Sequence, residues 1–284
     1  MEQYLHTIGS YFFKVLIATG TQLFVLLGPL LVLAFIMHFV AKINEKLSYD
    51  VFGRTIYLYG FGWLGTAVHE MGHALFALLF RHKINDMVLF SPNAEAGSLG
   101  YVNHSYDKKS IYQNIGNFFI GIGPILLGSL LLFAITYFLY NFNIAKVSVT
   151  INADILLNIN TFKSTALQIG SGIFNYGSYI LKGEHACWWR LLILGYCLYA
   201  IGSSITLSPP DIKGAAKGFL FFAIVLFLFN SITLWIGNFT EKAFFTIGSY
   251  FSILYFLIIL SIVANILFII ILLLMRFIKS LIIT

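Results

Sequence analysis

The chain has few charged residues: Asp, Glu, Lys and Arg together make up 10% of its 284 positions, against about 25% in soluble globular domains. Hydrophobic residues make up 59%, and 29 residues are phenylalanine. Several apolar segments exceed the roughly 18 residues that mark a membrane-spanning helix. This composition excludes a water-soluble globular protein and predicts an integral membrane protein that has the lipid bilayer as a partner.

Cysteine is also scarce, since Cys187 and Cys197 are the only two. Two cysteines are too few for the disulfide framework of a small secreted domain, and they lack the spacing of a zinc ribbon. The formal charge of +6 comes from Lys and Arg scattered between apolar segments, which is typical of residues that anchor helix ends at lipid headgroups. The charge distribution therefore argues against a nucleic-acid partner.

The hydrophobic runs predict an all-α polytopic membrane protein with about six transmembrane helices. The predicted spans are residues 21–41, 56–80, 116–140, 188–207, 217–236 and 247–275. Six spans place both termini on one side of the membrane. The distribution of Lys and Arg over the loops slightly favours the cytoplasm for that side.

Two segments between the predicted spans differ from the rest. Residues 87–90 and 98–102 have the character of short strands, and the turn-rich residues 91–97 separate them. This pattern predicts a small β-hairpin at the membrane surface within residues 84–103. Residues 141–187 are the least apolar part of the chain and predict a long connection outside the membrane.

The second predicted span contains His69, Glu70 and His73 in the pattern His-Glu-x-x-His. Residues i and i+4 of a helix share one face, so both imidazoles can reach one metal ion while the glutamate faces the bound water. An acidic side chain at the middle of a transmembrane helix costs about 2.5 kcal/mol or more and therefore needs a partner. A divalent cation is such a partner, and zinc prefers these ligand atoms.

A catalytic zinc site needs a third protein ligand, and two acidic residues are candidates. Asp211 follows Pro209 and Pro210 at the end of the fourth predicted span, where an unwound backbone lets a carboxylate turn inward among the helices. Glu184, at the start of the same span, is the second candidate. We expect Asp211 to be the ligand; its competing role is the capping of backbone amides.

In this order of motifs the chain resembles the site-2 protease family of intramembrane zinc metalloproteases. The resemblance covers about residues 56–218 and depends on His69, Glu70, His73, Gly123, Pro124, Ser208, Pro209, Pro210, Asp211 and Gly214. The chain departs from the family pattern at two points. Ile212 and Lys213 separate the aspartate from the glycine that normally follows it, and the usual asparagine after the Gly-Pro pair is replaced.

The resemblance implies a three-helix catalytic core that binds one Zn²⁺ per chain through His69, His73 and Asp211, with Glu70 as the general base. The implied activity is hydrolysis of peptide bonds in membrane-anchored protein substrates by a zinc-activated water. We also expect the hairpin to pair with an extended substrate strand.

The chain then divides into an N-terminal segment with the first span (1–55), the catalytic core (56–218) and two C-terminal spans (219–284). Two alternatives remain open. In the first, the protein is a membrane zinc protease of another class with a glutamate such as Glu184 as third ligand. In the second, it is a non-catalytic membrane protein that binds or transports a metal.

Overall fold

The computed structural model describes residues 2–93, 99–141, 158–237 and 239–283. These residues are predominantly helical and include one two-stranded antiparallel sheet. The elements in chain order are α1 (Glu2–Phe52), α2 (Arg54–Tyr57), a π-helical turn (Leu58–Gly62), α3 (Trp63–Leu79), β1 (Lys83–Val88), β2 (Tyr101–Ser105), α4 (Ile111–Tyr140), α5 (Ile159–Lys182), α6 (Trp188–Ala200), a 3₁₀ turn (Gly202–Ser204), α7 (Pro209–Ile236) and α8 (Phe239–Ile283).

Within the described ranges, four helices are long and apolar enough to cross a membrane, which agrees with an integral membrane protein. They are α1, α4, α7 and α8, with apolar stretches Ile8–Phe52, Ile111–Tyr140, Pro209–Ile236 and Lys242–Leu281. These helices contain the first, third, fifth and sixth predicted spans.

The other two predicted spans are divided in the structure, so six spans are not confirmed. Residues 56–80 are distributed over α2, the π-helical turn and α3. Residues 188–207 contain the 13-residue α6 and the 3₁₀ turn. At 1.5 Å per residue α6 is about 20 Å long, shorter than the roughly 30 Å of hydrocarbon in a bilayer.

The predicted hairpin is present, but its strands overlap the predicted ones only in part, at residues 87–88 and 101–102. In β1 and β2, Met87 pairs with Val102 and Lys83 pairs with Ser105. The first strand starts earlier because the chain reverses directly after α3 at Arg81, which has a left-handed backbone conformation (φ 59°). Polar residues make up much of both strands. The positions of the apolar residues therefore do not predict where the strands end. Residues 94–98, which include part of the predicted turn and the first residue of the second predicted strand, lie outside the described residues.

The predicted connection 141–187 contains a helix, α5, that its composition did not predict. After residues 142–157, which lie outside the described part of the chain, the Asn158 side chain caps α5 by accepting a hydrogen bond from the backbone of Asn160. Tyr176 of α5 is fully buried, with its ring edge-to-face against Phe256 of α8. The amphipathic α5 therefore packs on the helical core.

Close contacts between α3, α4 and α7 fix the position of the predicted site. A Cβ atom added to Gly72 of α3 would lie 2.6 Å from the backbone nitrogen of Pro124 in α4, so these two backbones touch. A Cβ atom added to Gly218 of α7 would lie even closer to the backbone nitrogen of Phe118 in α4. Small residues allow such approaches between apolar helices. The contacts bring one face of α3, the middle of α4 and the start of α7 together.

Candidate metal centre

Three of the predicted site residues, His69, His73 and Asp211, form one cluster. Their ligand atoms all lie within 4.8 Å of one another. The two imidazole Nε2 atoms are 3.2 Å apart, and Asp211 Oδ1 lies 3.2 Å from His73 Nε2. Asp211 Oδ2 lies 3.7 Å from His69 Nε2. The described residues therefore include a group that could hold a metal ion, as the sequence predicted.

Asp211 reaches this cluster by a route that differs from the predicted one. It does not end a fourth span, because Pro209 and Pro210 begin α7 and Asp211 lies in the first turn of that helix. Proline is favourable at the first position of a helix, where its missing N–H leaves no bond unmade. The Ser208 side chain caps the helix, and Asp211 Oδ2 accepts hydrogen bonds from the backbone nitrogen and hydroxyl of Ser208 at 2.8 and 2.6 Å.

The two roles considered for Asp211 are thus combined. Its carboxylate caps the start of α7, as the competing interpretation held, and the same group faces both histidines. The cap fixes the side chain before any ion binds, since two hydrogen bonds hold one of its oxygens in place. A carboxylate that is oriented in this way pays less conformational entropy on binding a metal.

Backbone carbonyl groups determine which nitrogen of each histidine carries the proton. His69 Nδ1 lies 2.9 Å from the carbonyl oxygen of Ser204, and His73 Nδ1 lies 2.8 Å from that of Ile120. A carbonyl can only accept, so both Nδ1 atoms donate and both neutral rings have an unprotonated Nε2. Two nitrogen lone pairs and a carboxylate then face one another at about van der Waals distance, an arrangement that a cation stabilises.

Glu70 lies beside this cluster and is buried, with 8% of its surface exposed. Together with His69, His73 and Asp211 it lines a cavity of about 390 Å³. Gly100 closes one side, because a Cβ atom there would lie 2.7 Å from Glu70 Cγ. A second, polar cavity of about 260 Å³ meets the first at His69, Glu70 and Gly100, and is lined further out by Glu45, Thr66 and Ser203. Water-sized space thus adjoins the glutamate on two sides.

Glu184, the alternative third ligand, does not join the cluster. It is exposed in the turn that precedes α6, and it is absent from the group of possible ligands within 4.8 Å. The structure therefore brings together His69, His73 and Asp211, with Glu70 adjacent, and leaves Glu184 apart.

Three further residues of the site were not identified from the sequence. The Ser204 and Ile120 carbonyl groups orient the histidines, and main-chain acceptors leave no trace in side-chain patterns. Asn117 of α4 is 8% exposed and lines the larger cavity, and its Nδ2 has no hydrogen-bond partner among the described residues. A buried amide within an apolar span was the signal for Asn117.

Comparison of the chain with known protein families, with curated proteins and with solved structures finds no match. The geometry of the site therefore carries the functional argument.

Proposed function

We propose that this protein is an intramembrane zinc metalloendopeptidase of the site-2 protease type that cleaves membrane-anchored protein substrates. One observation carries the proposal. Two imidazole lone pairs and a carboxylate converge beside a buried glutamate, and all four groups line the same cavity. Structural histidine clusters need no adjacent buried acid, whereas metal-assisted hydrolysis needs a general base beside the metal ligands.

The distances favour zinc as the ion. Ligand atoms bound at about 2.0–2.1 Å with tetrahedral angles lie about 3.3 Å apart. The corresponding separations are 3.2 Å between the two imidazole nitrogens, 3.2 Å between His73 Nε2 and Asp211 Oδ1, and 3.7 Å between His69 Nε2 and Asp211 Oδ2. Magnesium and calcium prefer oxygen ligands, so two imidazoles argue against both. Three protein ligands, rather than four, are typical of catalytic zinc sites.

A zinc ion held by His69, His73 and Asp211 would supply Lewis acidity for a peptide carbonyl and would make a bound water more acidic. Glu70 accepts the proton from the attacking water and returns it to the leaving amine. Hydrogen bonds hold the three ligand side chains in place. Ser208 bonds to Asp211, and the carbonyl groups of Ser204 and Ile120 accept from His69 and His73. Burial of Glu70 beneath Gly100 keeps this acid close to the reacting groups.

The hairpin supplies a surface for the substrate in this proposal. Tyr101 and Val102 of β2 line the cavity together with the metal ligands. A peptide bond within a transmembrane helix is shielded, so the substrate segment must unwind, and an extended segment can pair with a strand edge. Replacing β2 with a proline-bearing sequence should abolish cleavage while zinc stays bound. Unchanged cleavage would remove the hairpin from the proposal.

The proposed topology has six spans, with the divided helices at 56–80 and 188–207 crossing or entering the membrane beside the four long ones. Four spans and six spans alike place the termini on one side. The Lys and Arg distribution favours the cytoplasm for that side. Accessibility of an introduced terminal cysteine to an impermeant thiol reagent would test this orientation.

Cleavage by purified protein tests the function. The protein is reconstituted into vesicles with a pool of fluorophore-labelled single-span peptides, and wild type is compared with Glu70→Gln. We expect cleavage by wild type only, its loss on chelation and its return on adding zinc. Cleavage that survives in Glu70→Gln, or metal flux across the vesicle with no cleavage by either form, would contradict the proposal and favour a transporter.

A further inference from the structure

A second pair of histidines lies at the edge of the same cavity and has no role in the proposed function so far. His82 follows α3 and is 4% exposed, and His104 belongs to β2. Their Nδ1 atoms are 3.0 Å apart. His104, but not His82, lines the cavity that also contains the metal cluster. The pair therefore joins a buried residue that follows α3 to the cavity that a substrate would enter.

The hydrogen bonds of this pair define its protons. His82 Nε2 lies 2.9 Å from the carbonyl oxygen of Gln113 in α4. Because a carbonyl only accepts, His82 Nε2 carries a proton and the Nδ1 atom of the neutral ring is an acceptor. The proton between the two rings then belongs to His104 Nδ1. In the neutral pair, His104 Nε2 is left as an unprotonated acceptor.

The surroundings favour this neutral state. Burial lowers the pKa of His82, against a smaller opposing effect of the Gln113 carbonyl. Burial also lowers the pKa of His104, and the neighbouring His82 lowers it further. The Tyr106 ring stacks on His82, with ring centroids 5.0 Å apart. His73 of α3 interacts electrostatically with His104. No ion pair between a carboxylate and either ring is found in the described residues.

We propose that His104 is a substrate-binding residue whose Nε2 accepts a hydrogen bond from a backbone N–H of the peptide segment in the cavity, with His82 and the Gln113 carbonyl fixing its tautomer. This inference rests on the proposed peptidase function. It makes the site selective for segments that present a free backbone N–H at this point. Proline and N-methylated residues are excluded there because they lack that hydrogen.

The identity of the donor follows from the chemistry of the cavity. The protein side already supplies acceptors at the metal cluster and at Glu70, and an extended peptide presents one N–H and one C=O per residue. His104 lies on β2, the strand whose residues Tyr101 and Val102 line the cavity. A peptide lying along this strand therefore brings its N–H groups to the level of the imidazole.

Two peptidyl hydroxamates test the inference, since the hydroxamate group chelates zinc whether or not the peptide is a natural substrate. One carries an ordinary leucyl amide, and the other is methylated at that amide nitrogen. Their dissociation constants are measured on zinc-loaded wild type, His104→Phe and His104→Gln, with His185→Phe, which lies outside this cavity, as the control. Selectively ¹⁵N-labelled histidine reports the His104 tautomer in wild type and in His82→Phe.

We expect methylation to weaken binding to wild type and His185→Phe about 5-fold, the size of one hydrogen bond. In His104→Phe the two hydroxamates should bind about equally, because the acceptor is gone. In His104→Gln part of the penalty should return, because the amide oxygen can accept the hydrogen bond. His104 should carry its proton on Nδ1 in wild type and lose that preference in His82→Phe. The His82→Phe arm keeps an aromatic ring next to Tyr106 while removing the acceptor.

The outcomes separate this inference from the function on which it rests. Hydroxamate binding with an undiminished methylation penalty in His104→Phe would overturn the substrate-binding role and leave the peptidase intact. A proton on His104 Nε2 in wild type would overturn the tautomer assignment. Absence of zinc-dependent hydroxamate binding by wild type would overturn the proposed function and this inference with it.

Discussion

The described part of the chain contains two histidine pairs at nearly equal separations, and the main-chain acceptors around them imply opposite proton arrangements. In the pair on α3, both Nδ1 protons go to backbone carbonyls, and the facing Nε2 atoms of His69 and His73, 3.2 Å apart, are both without protons. In the hairpin pair, only His82 meets a carbonyl, and the facing Nδ1 atoms, 3.0 Å apart, share one proton. Among the residues that the structure describes, a carboxylate lies within 4 Å of a ring nitrogen only in the first pair.

The difference shows that main-chain acceptors around a histidine pair decide what can bind between the rings. Two carbonyls on one pair of neutral rings leave two unprotonated nitrogens that can bind a metal ion, whereas one carbonyl leaves a donor and an acceptor that form a hydrogen bond with each other. Spacing between the rings does not distinguish the two cases. The first pair is therefore the candidate metal centre, and the second is a candidate hydrogen-bond acceptor for substrate.

The largest expected difference between the two regions is in catalysis. Glu70→Gln beside the first pair should lower the cleavage rate by about 10²–10⁴-fold, because the amide cannot take up the proton. Zinc content should stay at the wild-type level, since Glu70 is not a ligand. Rates and metal content are measured on the same vesicle preparation. A rate within a few-fold of wild type would show that this acid is not the base.

A second test compares the two acidic candidates for third ligand. Asp211→Ala should weaken zinc affinity by roughly 100-fold or more, beyond the 10–100-fold typical of losing an outer-shell partner. Glu184→Ala should leave the affinity unchanged, because that side chain is exposed and outside the cluster. Competition with a chromophoric chelator measures both. Zinc loss in Glu184→Ala with retention in Asp211→Ala would reverse the assignment.

A third test disturbs the first pair without touching its ligands. Gly72→Ala places a methyl group 2.6 Å from the backbone nitrogen of Pro124, which should force α3 and α4 apart and lower the free energy of unfolding by about 1–3 kcal/mol. The same shift moves the Ile120 carbonyl away from His73. Gly195→Ala in α6 is the control, since nothing lies within 4 Å of its Cβ position. Thermal unfolding in detergent measures the effect, and equal stabilities would contradict the packing argument.

The smallest effect concerns pH and the hairpin pair. The folded-state pKa of both His82 and His104 is lowered by burial, whereas an unfolded histidine titrates near 6.5. The unfolded protein therefore binds more protons below about pH 6.5, and stability falls as the pH decreases through that range.

Replacement of both histidines by Phe should flatten this dependence. Thermal midpoints at about pH 7.5 and about pH 5.5 measure the change, with His185→Phe as the control. A decline that is identical in wild type and the double variant would place the titrating groups elsewhere in the molecule.

Much of the candidate metal centre followed from the sequence because it depends on local spacing. His69 and His73 occupy one face of a helix wherever that helix lies, so the four-residue interval alone predicted their convergence. Asp211 was harder to place. Its proximity to two prolines marked it as a candidate, but the prolines were assigned to the end of a helix when they begin α7. Proline is compatible with both interpretations, and only the Ser208 cap distinguishes them.

The parts that the sequence did not predict depend on contacts between distant segments. The Ser204 and Ile120 carbonyls, and the Gln113 carbonyl behind His82, act through the main chain. No residue type marks such a role. The helix ends were not predicted for a related reason. An apolar run such as 188–207 indicates burial, but it does not show that α6 stops at Ala200 and gives way to a 3₁₀ turn.

The zinc content of three purified forms distinguishes the two histidine pairs as metal sites. Wild type, His73→Ala and His82→Ala are loaded with zinc, desalted and analysed for bound metal. The two variants remove one histidine from each pair. We expect one zinc per chain in wild type and in His82→Ala, and none in His73→Ala. Zinc retained by His73→Ala, or lost equally from both variants, would contradict the assignment of the metal to the pair on α3.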